Sequence, residues 1–177
     1  MSYIQTLNGN HIDFLNISPD QIAIEDIATA LSNLCRFAGH LPEFYSVAQH
    51  SVLTSLLVSE EFALEALLHD AQEAYVCDIP SPLKHLLPDY RQIENYVESV
   101  IRRKFGLPEA ASDPVKYADL IMLATERQEL DIHDGTEWPV LAGIPVTDQF
   151  TISPLRPGQA YGLFMKRFAE LTGASCA

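Results

Sequence analysis

The stretch LLHDAQEAY, residues 67–75, sets a histidine beside an aspartate in an apolar run, with a glutamate three residues further on. Burying imidazole and carboxylate groups without partners costs several kcal/mol. The arrangement therefore calls for a partner, and a metal ion would serve. On a helix Glu73 lies four residues after His69 and three after Asp70, so the three share a side, although adjacent His69 and Asp70 are splayed by about 100°. Two more candidates stand in helical patterns, His50 in YSVAQHSVL and Asp119 in VKYADLIML, each polar at or beside an inward position. Two imidazoles and two carboxylates, His50, His69, Asp70 and Asp119, suit a divalent ion drawn from zinc, cobalt, manganese, iron or magnesium. A second His-Asp pair, His133-Asp134, is followed by Gly135 and Thr136 and reads as a solvated turn. His11, His40 and His85 read as surface or loop residues.

The elements that must position these groups follow from periodicity. Residues 3–15 alternate around Asn8-Gly9-Asn10 and read as a short β-hairpin. Residues 24–34 and 44–58 carry apolar positions at spacings of three and four. Ser59, with Glu60 and Glu61 after it, opens a further helix that the pattern carries through 67–75. Pro80, Pro82 and Pro88 make 78–88 a loop or broken turn. A helix over 89–105 closes at Gly106, and Asp113-Pro114 opens another that reaches about Leu130. Residues 131–157, rich in Gly, Pro and Thr, read as a long excursion before a last helix over 158–171 that stops at Gly173. The expected fold class is all-α with a short N-terminal β-hairpin, in a single domain: hairpin 3–15, metal-binding helical core 24–130, C-terminal excursion and helix 131–173.

Composition limits the partners. With 177 residues, 47% of them hydrophobic, the chain can bury one sizeable core. Eleven basic against 24 acidic residues give a net charge of −13, which repels polymeric nucleic acid and anionic lipid unless a basic stripe exists. The densest cationic cluster, Arg102, Arg103 and Lys104, reads as a solvated helix face. Cys35, Cys77 and Cys176 lack paired spacing, so neither a disulfide framework nor a cysteine zinc site is expected, and a reducing cytoplasm fits. The N-terminus has no secretory pattern and no apolar run approaches the roughly 20 residues that span a bilayer.

The order His50, His69-Asp70, Asp119 resembles the H…HD…D signature of the HD-domain metal-dependent phosphohydrolases. HDAQEAYVCDIPSPLK, residues 69–84, is similar to the HD-x-x-E-x-x-x-x-D-x-P-x-P-x-K stretch of the 5′-deoxynucleotidase branch and of the related phage enzymes that strip triphosphate from dATP. CRFAGHLPEFYSVAQHS resembles the compact bacterial and phage members. The resemblance spans roughly residues 24–130. It implies an HD-domain helical bundle whose metal is held by His50, His69, Asp70 and Asp119. It implies that Glu73 manages the attacking water or the leaving oxygen, and that Asp78 is a partner of the sugar or of that water. Arg36 and Phe37 match an Arg-aromatic pair that grips phosphate and stacks on the base. Lys84 is a candidate phosphate ligand. The implied activity is hydrolysis of free deoxynucleotides at the α-phosphorus, with a slight lean to dATP triphosphohydrolase over 5′-deoxynucleotidase action on dNMPs. A nucleotide-sensing module without turnover, and a hydrolase of guanosine alarmones or cyclic nucleotides, are the alternatives. The implied partner is a small nucleotide, and the implied assembly a homo-oligomer.

Overall fold

The first residues that pair are Ile4–Gln5 (β1) and His11–Ile12 (β2), antiparallel, with Ile4 opposite Ile12 and Gln5 opposite His11. Gly9, at φ 81°, turns the chain between them. The computed structural model describes residues 3–174. Cys176 lies outside them; Cys35 and Cys77 are free thiols.

Everything after the hairpin that is regular is helical: α1 (Ile24–Asn33), α2 (Val47–Leu56), α3 (Glu60–Leu67), α4 (Glu73–Val76), α5 (Ser81–Lys84), α6 (Pro88–Phe105), α7 (Asp113–Glu129) and α8 (Pro157–Thr172). The fold is all-α with a short N-terminal hairpin. Gly106 and Gly173 stop α6 and α8 in left-handed conformations, as their positions in the sequence predict. At α7 the cap is Ser112 rather than Asp113, which enters the first turn with Pro114. Among the described residues no helix is long and apolar enough to cross a membrane.

Helix α2 is the centre of the bundle. It packs on α1, α3, α7 and α8, and Val47, Ala48, Gln49, His50, Ser51 and Val52 are all buried. A helix wrapped on every side must satisfy its own hydroxyls. Ser51 Oγ and Thr54 Oγ1 do so by donating to the carbonyls of Val47 and His50, at 3.0 and 2.9 Å. One apolar cluster gathers Ile27, Leu31, Val52, Leu67, Ile101 and Phe164; a second gathers Tyr45, Met122, Leu130 and Ile152, with Leu53 of α2 and Leu57, its C-cap, packed against it.

The helix predicted to run through residues 67–75 is broken. α3 ends at Leu67, and residues 68–72 form tight turns before α4 begins at Glu73. The amides of Ala71 and Glu73 donate three residues back, to Leu68 at 3.1 Å and Asp70 at 2.9 Å, in place of the α ladder. Regular helix geometry would hold His69 and Asp70 apart, and the break removes that constraint.

Residues 131–156 contain one short 3-10 turn, Pro139–Leu141, among irregular backbone. Side chains of α2 and α7 tie this excursion down. Gln49 donates to the Ser153 carbonyl at 2.8 Å and accepts from the Leu155 amide at 2.9 Å, and Thr125 Oγ1 accepts from the Thr147 amide at 3.0 Å.

Glu65 of α3 fastens α6 to α7. Its carboxylate accepts from the Ser112 amide and hydroxyl at 2.9 and 2.7 Å and from Arg102 Nη1 at 3.2 Å, with both charged side chains buried. Removing one partner of such a pair strands the other charge. Glu65→Ala should therefore lower unfolding stability by about 3 kcal/mol in a urea titration. A change below about 1 kcal/mol would mean that water replaces the lost carboxylate.

Candidate metal centre

The break after α3 lets neighbouring residues face the same point. His69 Nε2 lies 3.2 Å from Asp70 Oδ2. His50, fixed in the middle of α2, brings its Nε2 to 3.3 Å from His69 Nε2. Asp119, one third of the way along α7, places Oδ1 3.1 Å from His50 Nε2 and 3.6 Å from His69 Nε2. The donor atoms of His50, His69 and Asp119 all lie within 4.8 Å of one another, so this cluster could hold a metal ion. Asp70 Oδ2 stands 3.7 Å from His50 Nε2, on the border of the same cluster.

The far side of each imidazole decides what the near side can do. His50 Nδ1 lies 2.6 Å from Glu126 Oε1 and His69 Nδ1 lies 2.7 Å from the Ala66 carbonyl. Both partners are acceptors, so each Nδ1 carries a hydrogen and donates it. Each Nε2 of a neutral ring is then a lone pair, and two lone pairs 3.3 Å apart require something positive between them. Two nitrogens each about 2.1 Å from one ion and 3.3 Å apart subtend about 100° at it, between the tetrahedral and octahedral angles. The residues present fit a divalent ion.

Charge says the same. Burial disfavours the imidazolium form, yet Glu126 and Asp119 hold His50 above its ordinary range, against Arg36. For His69, burial is outweighed by Asp70 and Asp119, which push its pKa well up. Asp70 is held at about 2 despite burial, chiefly by His69. Hydrogen bonds to His50 and His69 keep Asp119 well below the carboxylate range, again against burial. The carboxylates draw positive charge onto the imidazoles, and protons and a metal ion compete for it. The Asp119 side chain remains 40% exposed, which leaves the centre open on that side.

Glu126 is the residue that sequence reasoning missed. It is fully buried, and besides His50 it receives Arg36 Nε and Nη2 at 3.2 and 2.9 Å and the Tyr45 hydroxyl at 2.9 Å. Its signal was its spacing. Seven residues, about two turns, separate it from Asp119, so both lie on the inward side of α7.

Each other site residue has a place. The Arg36 guanidinium is committed to Glu126, and its Nη1 faces Asp70 at 3.7 Å. Phe37 follows it in a left-handed turn, φ 54°, with Ala38 at 52°. Its ring packs beside Arg36 and against the Tyr45 cluster. Glu73, at the start of α4, is buried, with Oε2 lacking any hydrogen-bond partner. Burial, then Asp70 and Asp78, push its carboxyl well above the usual range, against Lys84 and Arg36. Asp78 is half-buried and shifted upward, first by burial and then by Asp70, against Arg36 and Lys84. Lys84 Nζ lies 2.6 Å from Glu94 and 3.4 Å from Glu73. His133 and Asp134 form an exposed turn whose side chains accept from the Gly135 and Thr136 amides, and His11, His40 and His85 are exposed.

No family model matches the chain. The uncharacterized protein YfdR of Escherichia coli strain K12 is 61% identical over 172 residues, 97% of each chain. An uncharacterized protein of Rhodobacter capsulatus is 34% identical over 122 residues, 63% of this chain and 62% of the relative.

Metal binding needs both Nε2 atoms bare, and both imidazoles hold protons above the ordinary 6.5. As pH falls, the apparent affinity for a divalent ion should begin to drop while still above pH 6.5, and His69→Ala should abolish retention at pH 8. Elemental analysis after equilibrium dialysis checks both. Metal content unchanged in His69→Ala would exclude this cluster as the site.

Proposed function

We propose that this chain, which belongs to the family of Escherichia coli YfdR, is a metal-dependent phosphohydrolase of free deoxynucleotides that cuts at the α-phosphorus. The observation that carries the reading is the pair of imidazole Nε2 atoms 3.3 Å apart, both Nδ1 atoms engaged by acceptors, close to a buried glutamate with an unpartnered oxygen. The sequence resemblance to HD-domain phosphohydrolases supports the same chemistry.

His50, His69 and Asp119 would hold the ion, with Asp70 beside them. Two imidazoles favour zinc, manganese, iron or cobalt over magnesium, which prefers an all-oxygen shell. A divalent ion there supplies Lewis acidity, polarising a phosphoryl oxygen and making water acidic enough to react near neutral pH. The remaining work falls to side chains. Glu73, its carboxyl protonated because burial and two acidic neighbours disfavour the anion, holds a proton at Oε2. It gives that proton to the departing 5′ oxygen. Arg36 keeps one nitrogen on the Asp70 side of its fork and sets Glu126, which fixes the His50 tautomer. Asp78, half-buried beside Glu73, is positioned to orient water or sugar. The chain's net charge of −13 disfavours long polyanions, while a bound ion together with Arg36 would make the pocket locally positive.

A screen of deoxynucleotides against Mn²⁺, Co²⁺, Fe²⁺ and Zn²⁺ tests this. Deoxynucleoside with inorganic phosphate from dNMPs marks a nucleotidase; tripolyphosphate from dATP marks the triphosphohydrolase. Glu73→Gln should lower kcat by roughly 100-fold or more while metal content survives. Absence of turnover with every metal and nucleotide would reject the enzyme reading.

A further inference from the structure

We propose that the cavity between the end of α7 and the 131–156 excursion is a second ligand site, separate from the metal centre. It takes a nucleoside monophosphate, with the phosphate on Arg127 and the base beside Trp138. The inference goes beyond the phosphohydrolase reading and does not rest on it.

Arg127 lies in the last turn of α7 and is buried. Its Nη2 donates to the Thr136 carbonyl and stands 3.6 Å from Asp134 Oδ1. That carboxylate is 72% exposed and already accepts from the Thr136 amide, so it holds the guanidinium loosely. Neither Nε nor Nη1 has an acceptor among the described residues, and Nε is sealed from water. The other two buried arginines, Arg36 and Arg102, each donate from Nε to a glutamate, at 3.2 and 2.8 Å. A buried cation with so few bonds is costly. The partner it lacks is an anion whose oxygens match a planar fork.

Room for such an anion adjoins the guanidinium. A cavity of about 580 Å³ is lined by Arg127, Trp138 and a wall of Pro139, Leu141 and Ala142, a size typical of small-molecule sites and generous for a bare ion. The Arg127 guanidinium carbon sits 4.5 Å from the centroid of the Trp138 ring, which favours one orientation of the fork. An indole and an apolar wall suit a flat heteroaromatic body. Glu137 also lines the cavity, and Arg127 is the one cation among the lining residues, so the charge there balances one phosphate better than three. A heteroaromatic body carrying one phosphate is a nucleoside monophosphate. His50, His69 and Asp119 do not line this cavity.

Trp138 is the chain's single tryptophan, so its emission reports on this cavity. The full chain is titrated with dAMP in excess chelator, and again as His69→Ala, with excitation where the nucleotide does not absorb. The metal centre contributes in neither case. Emission should change saturably, and dAMP should bind at least about tenfold more tightly than deoxyadenosine or inorganic phosphate. Arg127→Met should weaken dAMP binding about tenfold or more and leave deoxyadenosine unchanged. Because that change also removes the tie to Thr136, Ala142→Phe is the second variant. It fills the cavity from an exposed position, away from the bonds of the guanidinium, and should abolish dAMP retention in equilibrium dialysis. Emission unmoved by dAMP, or dAMP affinity unchanged in both variants, would overturn the proposal. So would equal affinity for dAMP and either of its parts, or tighter binding of dATP than of dAMP. These readouts need no turnover and no metal, so failure of the nucleotide screen and failure of this site are told apart.

Discussion

A carboxylate with no access to water sits at the junction of the structure. Glu126 of α7 binds the Arg36 guanidinium, the Tyr45 hydroxyl and the His50 ring at once, and so joins α7, α2 and the connection between α1 and α2. Burial raises the energy of the anion, and Arg36 and His50 more than compensate, so its pKa stays below the ordinary value. A charge so deeply placed cannot exchange one partner for water. Everything that touches it is therefore held in a single arrangement, and the His50 tautomer is part of that arrangement. The cluster of His50, His69 and Asp119 inherits its order from this group.

The second constraint is backbone. Adjacent residues on a helix diverge by about 100°, yet His69 and Asp70 stand 3.2 Å apart on one cluster. The chain achieves this by ending α3 at Leu67 and restarting at Glu73. The same break gives Glu73 its place at the start of α4, on the Asp78 and Lys84 side, while the histidine and aspartate look toward α2 and α7. A continuous helix would have kept the three in a fixed spiral. Strain collects beyond it: Phe37, Ala38 and Cys77 adopt positive φ, and all three flank site residues, where such conformations tend to gather.

The chain carries a net charge of −13, and around the cluster each cation is claimed by a carboxylate: Arg36 by Glu126, Lys84 by Glu94. These pairs fix the cations in direction without discharging them. Two kinds of carboxyl result, Asp70 and Asp119 held low beside the imidazoles and Glu73 pushed up by burial and its acidic neighbours. Environment, rather than residue type, divides their roles.

Much of this was legible in the chain itself. Apolar spacing marked the helices, Gly106 and Gly173 marked two of their ends, and Asn8-Gly9-Asn10 marked the hairpin, because these signals act over a few residues. The polar residues set into apolar patterns, His50, His69, Asp70 and Asp119, announced a cluster, since a chain seldom carries such groups inward without partners. The break at residues 68–72 was not legible: LLHDAQEAY keeps helical spacing, and only the packing of α2 and α7 around it makes the turned form better. The partners of Glu126 and Glu94 were hidden for the same reason, although the seven-residue spacing from Asp119 did mark the position of Glu126. A glutamate on an amphipathic helix is ordinarily a solvated one, and what makes these two different is which cation the fold brings to them from 90 and 10 residues away. Sequence determined which groups are available and which segments coil; tertiary structure alone decided which carboxylate meets which cation, because that pairing depends on contacts between segments that share no local signal.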